Sequence, residues 1–437
     1  MTLLDRRQWL QLAAAGAFAA TAPSVFAQAQ IAPGAGDARF LLVFLRGAYD
    51  ATNVLVPTGS DFYYESRPTI AIARPPAAGA PENPQAVLAL HGADGWGLHP
   101  ALGPSVLPLW QARQLAFIPF AGTDDLSRSH FETQDSVEAG LPLPGEGSGP
   151  PAALRGSGFL NRLARVLDAR GQPVAFTDGV PAAFAGPVNV PNVSLKGTAR
   201  APFDARQTGL LAQMYQGTRY APLIAEGFEL RRTVAEQAAA QQKQASAQAA
   251  GMAPDAATRR QEMEAASRQA ISARGFELEA RRMAGLLKER YNLGFIDVGG
   301  WDTHVNQGGA QGQLASLLDN LGRGLAGFAQ EMGPAWDRTV VVVVSEFGRT
   351  FRENGTRGTD HGHGSVYWVA GGAVRGGRLA GEQVAVGPAT LNQNRDWPVK
   401  NEYRAVLGGV FQRIYGLDRA RLAQVFPDVA PRDIGLV

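Results

Sequence analysis

Five consecutive valines, Val340 to Val344, run straight into Ser345-Glu346-Phe347-Gly348-Arg349. A run of β-branched residues with no polar alternation suits a strand covered on both faces, as in a parallel sheet with helices on either side. Such a strand has no core-building reason to end in Glu346, nor to lead into Arg349, Asp360, His361 and His363. Its exit therefore reads as a place where chemistry is held by a rigid support.

Other segments fit the same plan. Phe40–Leu45, Gln114–Gly122, Gly294–His304 and the stretch SVYWVAGG from Ser365 read as further strands. SGFLNRLARVLDARG and GQLASLLDNLGRGLAGFAQEM read as helices between them. Strands alternating with helices predict an α/β domain. One region differs: about 206–290 is rich in Ala, Gln, Glu and Arg, broken at Gly251 and Pro254. It predicts a helical hairpin inserted beside the core, with a lid or partner-binding arm as the functional alternative.

The 437 residues carry a net charge of +2, which gives no basis for binding nucleic acid or an anionic membrane. With no cysteine, disulfides, thiolate metal sites and a cysteine nucleophile are excluded. Residues 1–29 read as a signal peptide: Arg6-Arg7 precedes a weakly apolar Ala/Gly run and the small residues Ala27 and Ala29. The paired arginines followed by Gln8-Trp9-Leu10 resemble a twin-arginine export signal, which makes the twin-arginine translocase the expected export partner and the periplasm or exterior the expected location. Residues 30–437 then form one domain, with no later segment expected to span a membrane.

Four of the six histidines, His130, His304, His361 and His363, follow a predicted strand. Ligands of open α/β sheets bind beyond the carboxyl ends of the strands, so these residues, with Asp50 and Glu346, are expected to converge. Ser127, Ser129 and His130 lie in the loop after the second strand, where Ser129 is a candidate nucleophile or a helix cap. Asp302 and His304 share one side of an extended segment, a bidentate metal arrangement. Asp50, Asp302, His304, Glu346, Asp360, His361 and His363 make up the candidate ligand pool. These are hard or borderline ligands, suited to zinc, manganese, magnesium or calcium. Arg349 is a candidate anion clamp or a salt-bridge partner of Glu346 or Asp360.

The segments FLRGAYDATNVLVP, RSHFETQDSVEAGLP, GGWDTHVNQ, SEFGRTFRENGTRGTDHGHG and GGAVRGG, with the Arg6-Arg7 signal, resemble the exported bacterial family called domain of unknown function 1501. That family is grouped by fold with the alkaline phosphatase superfamily. The resemblance implies a three-layer sandwich with a mostly parallel central sheet. In functional order it implies Asp50, a Ser129 or Ser127 nucleophile, Asp302 with His304, Glu346, and a last His361 or His363. The chain departs from the superfamily where Phe347 replaces the usual His after the long strand, where the Asp302–His304 spacing is short, and in lacking the Cys/Ser-x-Pro-x-Arg pattern of sulfatases. One metal centre is implied more firmly than two.

The expected function is thus a metal-dependent hydrolase of a small phosphate, phosphodiester or sulfate ester. The alternative is a non-catalytic binding or assembly protein that keeps the fold. A metal-free serine esterase using Ser129 and His130 is disfavoured because no G-x-S-x-G elbow is present.

Overall fold

The computed structural model describes residues 38–77, 79–142, 154, 156–195, 205–218, 220–222, 224–225, 227–229, 271–272 and 275–437. The expected signal peptide and the middle of the expected insertion lie outside them.

The predicted strands form, in chain order, β1 (Arg39–Leu45), β2 (Leu115–Gly122), β4 (Leu293–Gly299), β5 (Thr339–Ser345) and β6 (Ser365–Ala370), with a short β3 (Pro173–Ala175) between β2 and β4. The order across the sheet is β2-β6-β5-β1-β4-β3, and among the described residues two-residue strands widen the sheet to nine. β1 lies at the centre, parallel to β4 and β5, with Leu41 level with Gly294 on one side and Val341 on the other. β6 alone of these six runs antiparallel, between β2 and β5. Consequently β1, β2, β4 and β5 all end at one edge, and β6 begins there.

Helices cover both faces. They are α1 (His130–Ala139), α2 (Phe159–Leu167), α3 (Phe276–Glu289), α4 (Gln313–Met332), α5 (Tyr403–Tyr415) and α6 (Arg419–Val425). The valine run shows why the strand has no polar side. Val341 and Val343 join Leu41, Val43 and the α3–α4 residues Met283, Leu287, Leu318 and Leu321. Val340, Val342 and Val344 join Phe40, Leu42 and Leu163, Val410, Phe411 and Val425 from α2, α5 and α6. The result is a three-layer α/β arrangement around a mostly parallel sheet.

Part of the stretch expected to stand beside the core belongs to it. Phe276, Ala280, Met283, Ala284 and Leu287 are buried along one side of α3. That spacing is the apolar stripe of a packed helix. Among the described residues, no helix is long and apolar enough to cross a membrane.

Candidate metal centre

Three imidazoles and one carboxylate meet at the shared strand edge. His130 opens α1, whose first turn is capped by Ser129: its Oγ accepts from the Glu132 N–H at 3.5 Å. Asp302 and His304 follow β4, and His361 lies in the loop between β5 and β6. The Nε2 atoms of His130 and His361 are 3.0 Å apart, and those of His304 and His361 are 3.1 Å apart. Asp302 Oδ1 lies 2.8 Å from His304 Nε2 and 3.5 Å from His361 Nε2, and its Oδ2 lies 3.7 Å from His130 Nε2. Tetrahedral ligands about 2.0–2.1 Å from a zinc ion stand about 3.3–3.4 Å from each other. His130 Nε2, His361 Nε2 and an Asp302 oxygen lie within 4.8 Å of one another, and His304 joins the group through His361 and Asp302.

The outer side of each ring is held in turn. His130 Nδ1 donates to Glu346 Oε1 at 2.8 Å, and His361 Nδ1 donates to the Arg128 carbonyl at 3.0 Å. Those bonds fix the outer proton of each ring, so that Nε2 turns inward and offers a lone pair whenever the ring is neutral. His304 turns Nδ1 towards Asp360 Oδ1 at 3.4 Å. Glu346 is fully buried and also accepts from the Gly47 N–H at 2.8 Å, Gln134 Nε2 at 2.9 Å and Ser345 Oγ at 2.8 Å. It orients the His130 ring from behind instead of joining the candidate ligand set as expected.

The electrostatics favour positive charge at the centre, and in this structure a proton on His130 supplies it. Burial works against charge on His130, but Asp302 and Glu346 outweigh it and raise its pKa to about 9. Burial likewise opposes ionisation of Glu346, yet His130 and Gln134 hold its pKa down at about 2. Asp302 is driven far below the usual carboxylate range, against its burial, by bonds from His130, His304 and His361 and by the charge of Arg349. Burial lowers the pKa of His361.

The other expected site residues fall elsewhere. Asp50 leaves β1 but turns into a buried ion pair with Arg67, 2.5 Å and 3.0 Å at its two oxygens, and accepts from Gln307 Nε2 at 2.6 Å. Both of its oxygens are engaged away from the imidazoles. His363 is buried near Asp125, Asp396 and Arg128, outside the convergence. Ser127 sits in the turn before α1, its Oγ 3.3 Å from Thr133 Oγ1. Arg349 is buried and donates to the carbonyls of Gly47 (2.5 Å), Ala48 and Thr359 (3.1 Å) and to the Asp302 carboxylate. It pins the ligand loops together and has no face towards a substrate. Phe347 stacks on His130 with ring centroids 4.9 Å apart.

Sequence reasoning missed Gln134 and Arg46. Gln134 follows His130 by four residues, the spacing that puts both on one side of a helix, and this was the available signal. Arg46 pairs with Glu138 at 2.8 Å and Asp297 at 2.6 Å beneath α1; despite burial these acids raise its pKa. Gly47 allows the close approach on which the centre depends. It adopts φ +112°, and a Cβ there would lie 2.7 Å from the Asp302 backbone nitrogen.

No curated protein and no solved structure matches the chain. The family model described as "Protein of unknown function (DUF1501)" matches residues 37–426, nearly the whole chain and every residue of the centre, and the protein belongs to that family.

Proposed function

We propose that this protein is an exported, metal-dependent hydrolase with an alkaline phosphatase-like fold, acting on a phosphate, phosphodiester or sulfate ester. One divalent cation would be held by His130, His304, His361 and Asp302. The observation that carries this reading is the meeting of His130 Nε2, His361 Nε2 and the Asp302 carboxylate within ligand reach of one another, with His304 Nε2 3.1 Å from His361 Nε2. A cation placed among them would take over the charge that the His130 proton supplies beside Asp302 and Glu346. Three imidazoles favour zinc or manganese over magnesium or calcium, which prefer oxygen ligands.

Such a cation, when bound, supplies Lewis acidity to an ester oxygen and acidifies a nearby nucleophile. The chain supplies the rest. Glu346 and the Arg128 carbonyl fix two rings, and Arg349 fixes Asp302. His304 and His361 are 34% and 28% exposed at their side chains, which leaves a side through which an ester can reach the centre. Ser129, next to ligand His130 at the positive end of α1, is the candidate nucleophilic hydroxyl. The Arg6-Arg7 signal supports export by the twin-arginine translocase to the periplasm or beyond.

A second reading, a binding or assembly protein with a structural metal, is favoured by one observation. Arg349 is spent on backbone carbonyls and Asp302, leaving the fold's expected anion clamp occupied. Elemental analysis of protein purified without chelator, followed by panels of aryl phosphates, diesters and sulfates, separates the two. We expect stoichiometric metal in the parent, most of it lost in His304→Ala and His361→Ala. Ser129→Ala should keep the metal and lose turnover. Metal without turnover on any panel assigns the second reading, and a metal-free parent refutes both.

A further inference from the structure

Arg349 is engaged by backbone carbonyls and Asp302, which leaves the role of anion clamp open to another side chain. Arg395 stands beside the centre. Its Nη2 donates to the carbonyl of the candidate ligand His361 at 2.9 Å, which uses one of five N–H donors. The residue is exposed, and its charge is felt at Asp360 on the rim.

The turn that carries Arg395 is built with unusual care. Gln393 and Asn394 are adjacent non-glycine residues, both at φ 52°. Left-handed backbone at such residues persists only where the surroundings impose it, and it concentrates at functional sites. Those surroundings are visible here. Asp396 is fully buried and accepts from Asn392 Nδ2 at 3.0 Å and from Arg128 Nε at 3.2 Å. Arg352 Nη1 donates to the Asn394 carbonyl at 2.6 Å, and the Phe351 N–H donates to the Arg395 carbonyl at 2.9 Å. The turn is thereby latched to the segments that bear His130 and His361. What it holds out to solvent is a guanidinium.

We infer that Arg395 contacts the anionic group of the substrate, and that the ligand class is a tetrahedral oxyanion, a phosphoryl or sulfuryl group, bound jointly by the centre and this guanidinium. A planar fork of N–H groups matches two oxygens of such an anion. The inference rests on the metal reading above.

The test is calorimetric titration of metal-loaded protein with inorganic phosphate, and separately with imidazole as a neutral ligand. Parent, Arg395→Ala, Arg395→Lys and Arg357→Ala are compared at matched metal content. Arg357 is an exposed arginine in the same β5–β6 loop as His361, and its removal changes the net charge equally. We expect Arg395→Ala to weaken phosphate about tenfold to a hundredfold, the scale of a charge-assisted hydrogen bond. Imidazole binding should stay within about twofold, Arg395→Lys should recover part of the loss, and Arg357→Ala should bind phosphate like the parent. Equal loss for phosphate and imidazole makes Arg395 a prop for His361 and overturns the inference. So does unchanged phosphate affinity in Arg395→Ala, an equal effect of Arg357→Ala, or a metal-loaded parent that ignores phosphate. A parent without metal sinks the hydrolase reading instead, and the Arg395 comparison is then read on phosphate affinity alone.

Discussion

Replacing Glu346 by Gln isolates the support of the centre from the centre itself. The glutamine is isosteric. Its carbonyl can take the place of Oε1 and keep the bonds from the Gly47 N–H, Gln134 and His130. Its amide then faces Ser345 Oγ, whose single proton can be given wholly to the Leu45 carbonyl at 2.7 Å so that the oxygen accepts from the amide. The buried network thus stays satisfied, and the fold should lose little stability. What disappears is the negative charge behind His130 Nδ1. Loss of a carboxylate behind a ligating imidazole typically costs tenfold to a hundredfold in metal affinity, about 1.4–2.8 kcal/mol. Competition against a chelator of known affinity measures this directly, with circular dichroism melting as the control for folding. Parent-like metal affinity in a folded Glu346→Gln protein would refute the reasoning, because Glu346 would then be a core acid with no bearing on the imidazoles.

Three further outcomes are expected. Gly47→Ala should lower both melting temperature and metal affinity, by about 1–3 kcal/mol in stability, because the Cβ collides with the Asp302 backbone at an already left-handed φ; a parent-like melt would show that the strand exit yields freely. Burial, opposed by Arg282, raises the pKa of Glu279 to about 7, so the folded state keeps a proton that the unfolded chain has released; this stability is full below the ordinary carboxyl pKa and is lost as pH rises towards 7. Glu279→Gln should therefore flatten the melting profile between about pH 5 and 7 relative to the parent, and superimposable profiles would count against it. Changing Arg6 and Arg7 to Lys should block export while the retained protein stays folded, and undiminished export would remove the twin-arginine proposal.

The strand framework was legible because each long strand is a short apolar run with an abrupt polar exit. The same abruptness made His130, Asp302, His304 and His361 stand out. Direction was not legible. β6 runs against its neighbours because the loop from Glu346 to Gly364 returns to the edge it left, and nothing in SVYWVA encodes that. Nor could a pattern reveal that Asp50 is claimed by Arg67, seventeen residues on, or that Glu346 supports the His130 ring from behind. Strand exits report only which residues share an edge, while lone-pair direction depends on partners brought from distant segments. The α3 stripe was readable at its own spacing but was obscured by the Ala- and Arg-rich composition around it.

The central place of β1 has a consequence for how the chain is made. Its two partners, β4 and β5, lie about 250 and 300 residues downstream, so β1 leaves the ribosome long before either exists. At typical synthesis rates that interval is roughly 12–60 seconds. Throughout it, FLLVFL has no neighbour to pair with, and parallel pairing across such separations is slow even once the chain is complete. Nascent chains should accordingly depend on a holdase that masks this segment, and polar substitutions confined to β1 should alter yield during synthesis more than they alter the finished protein's rate of unfolding.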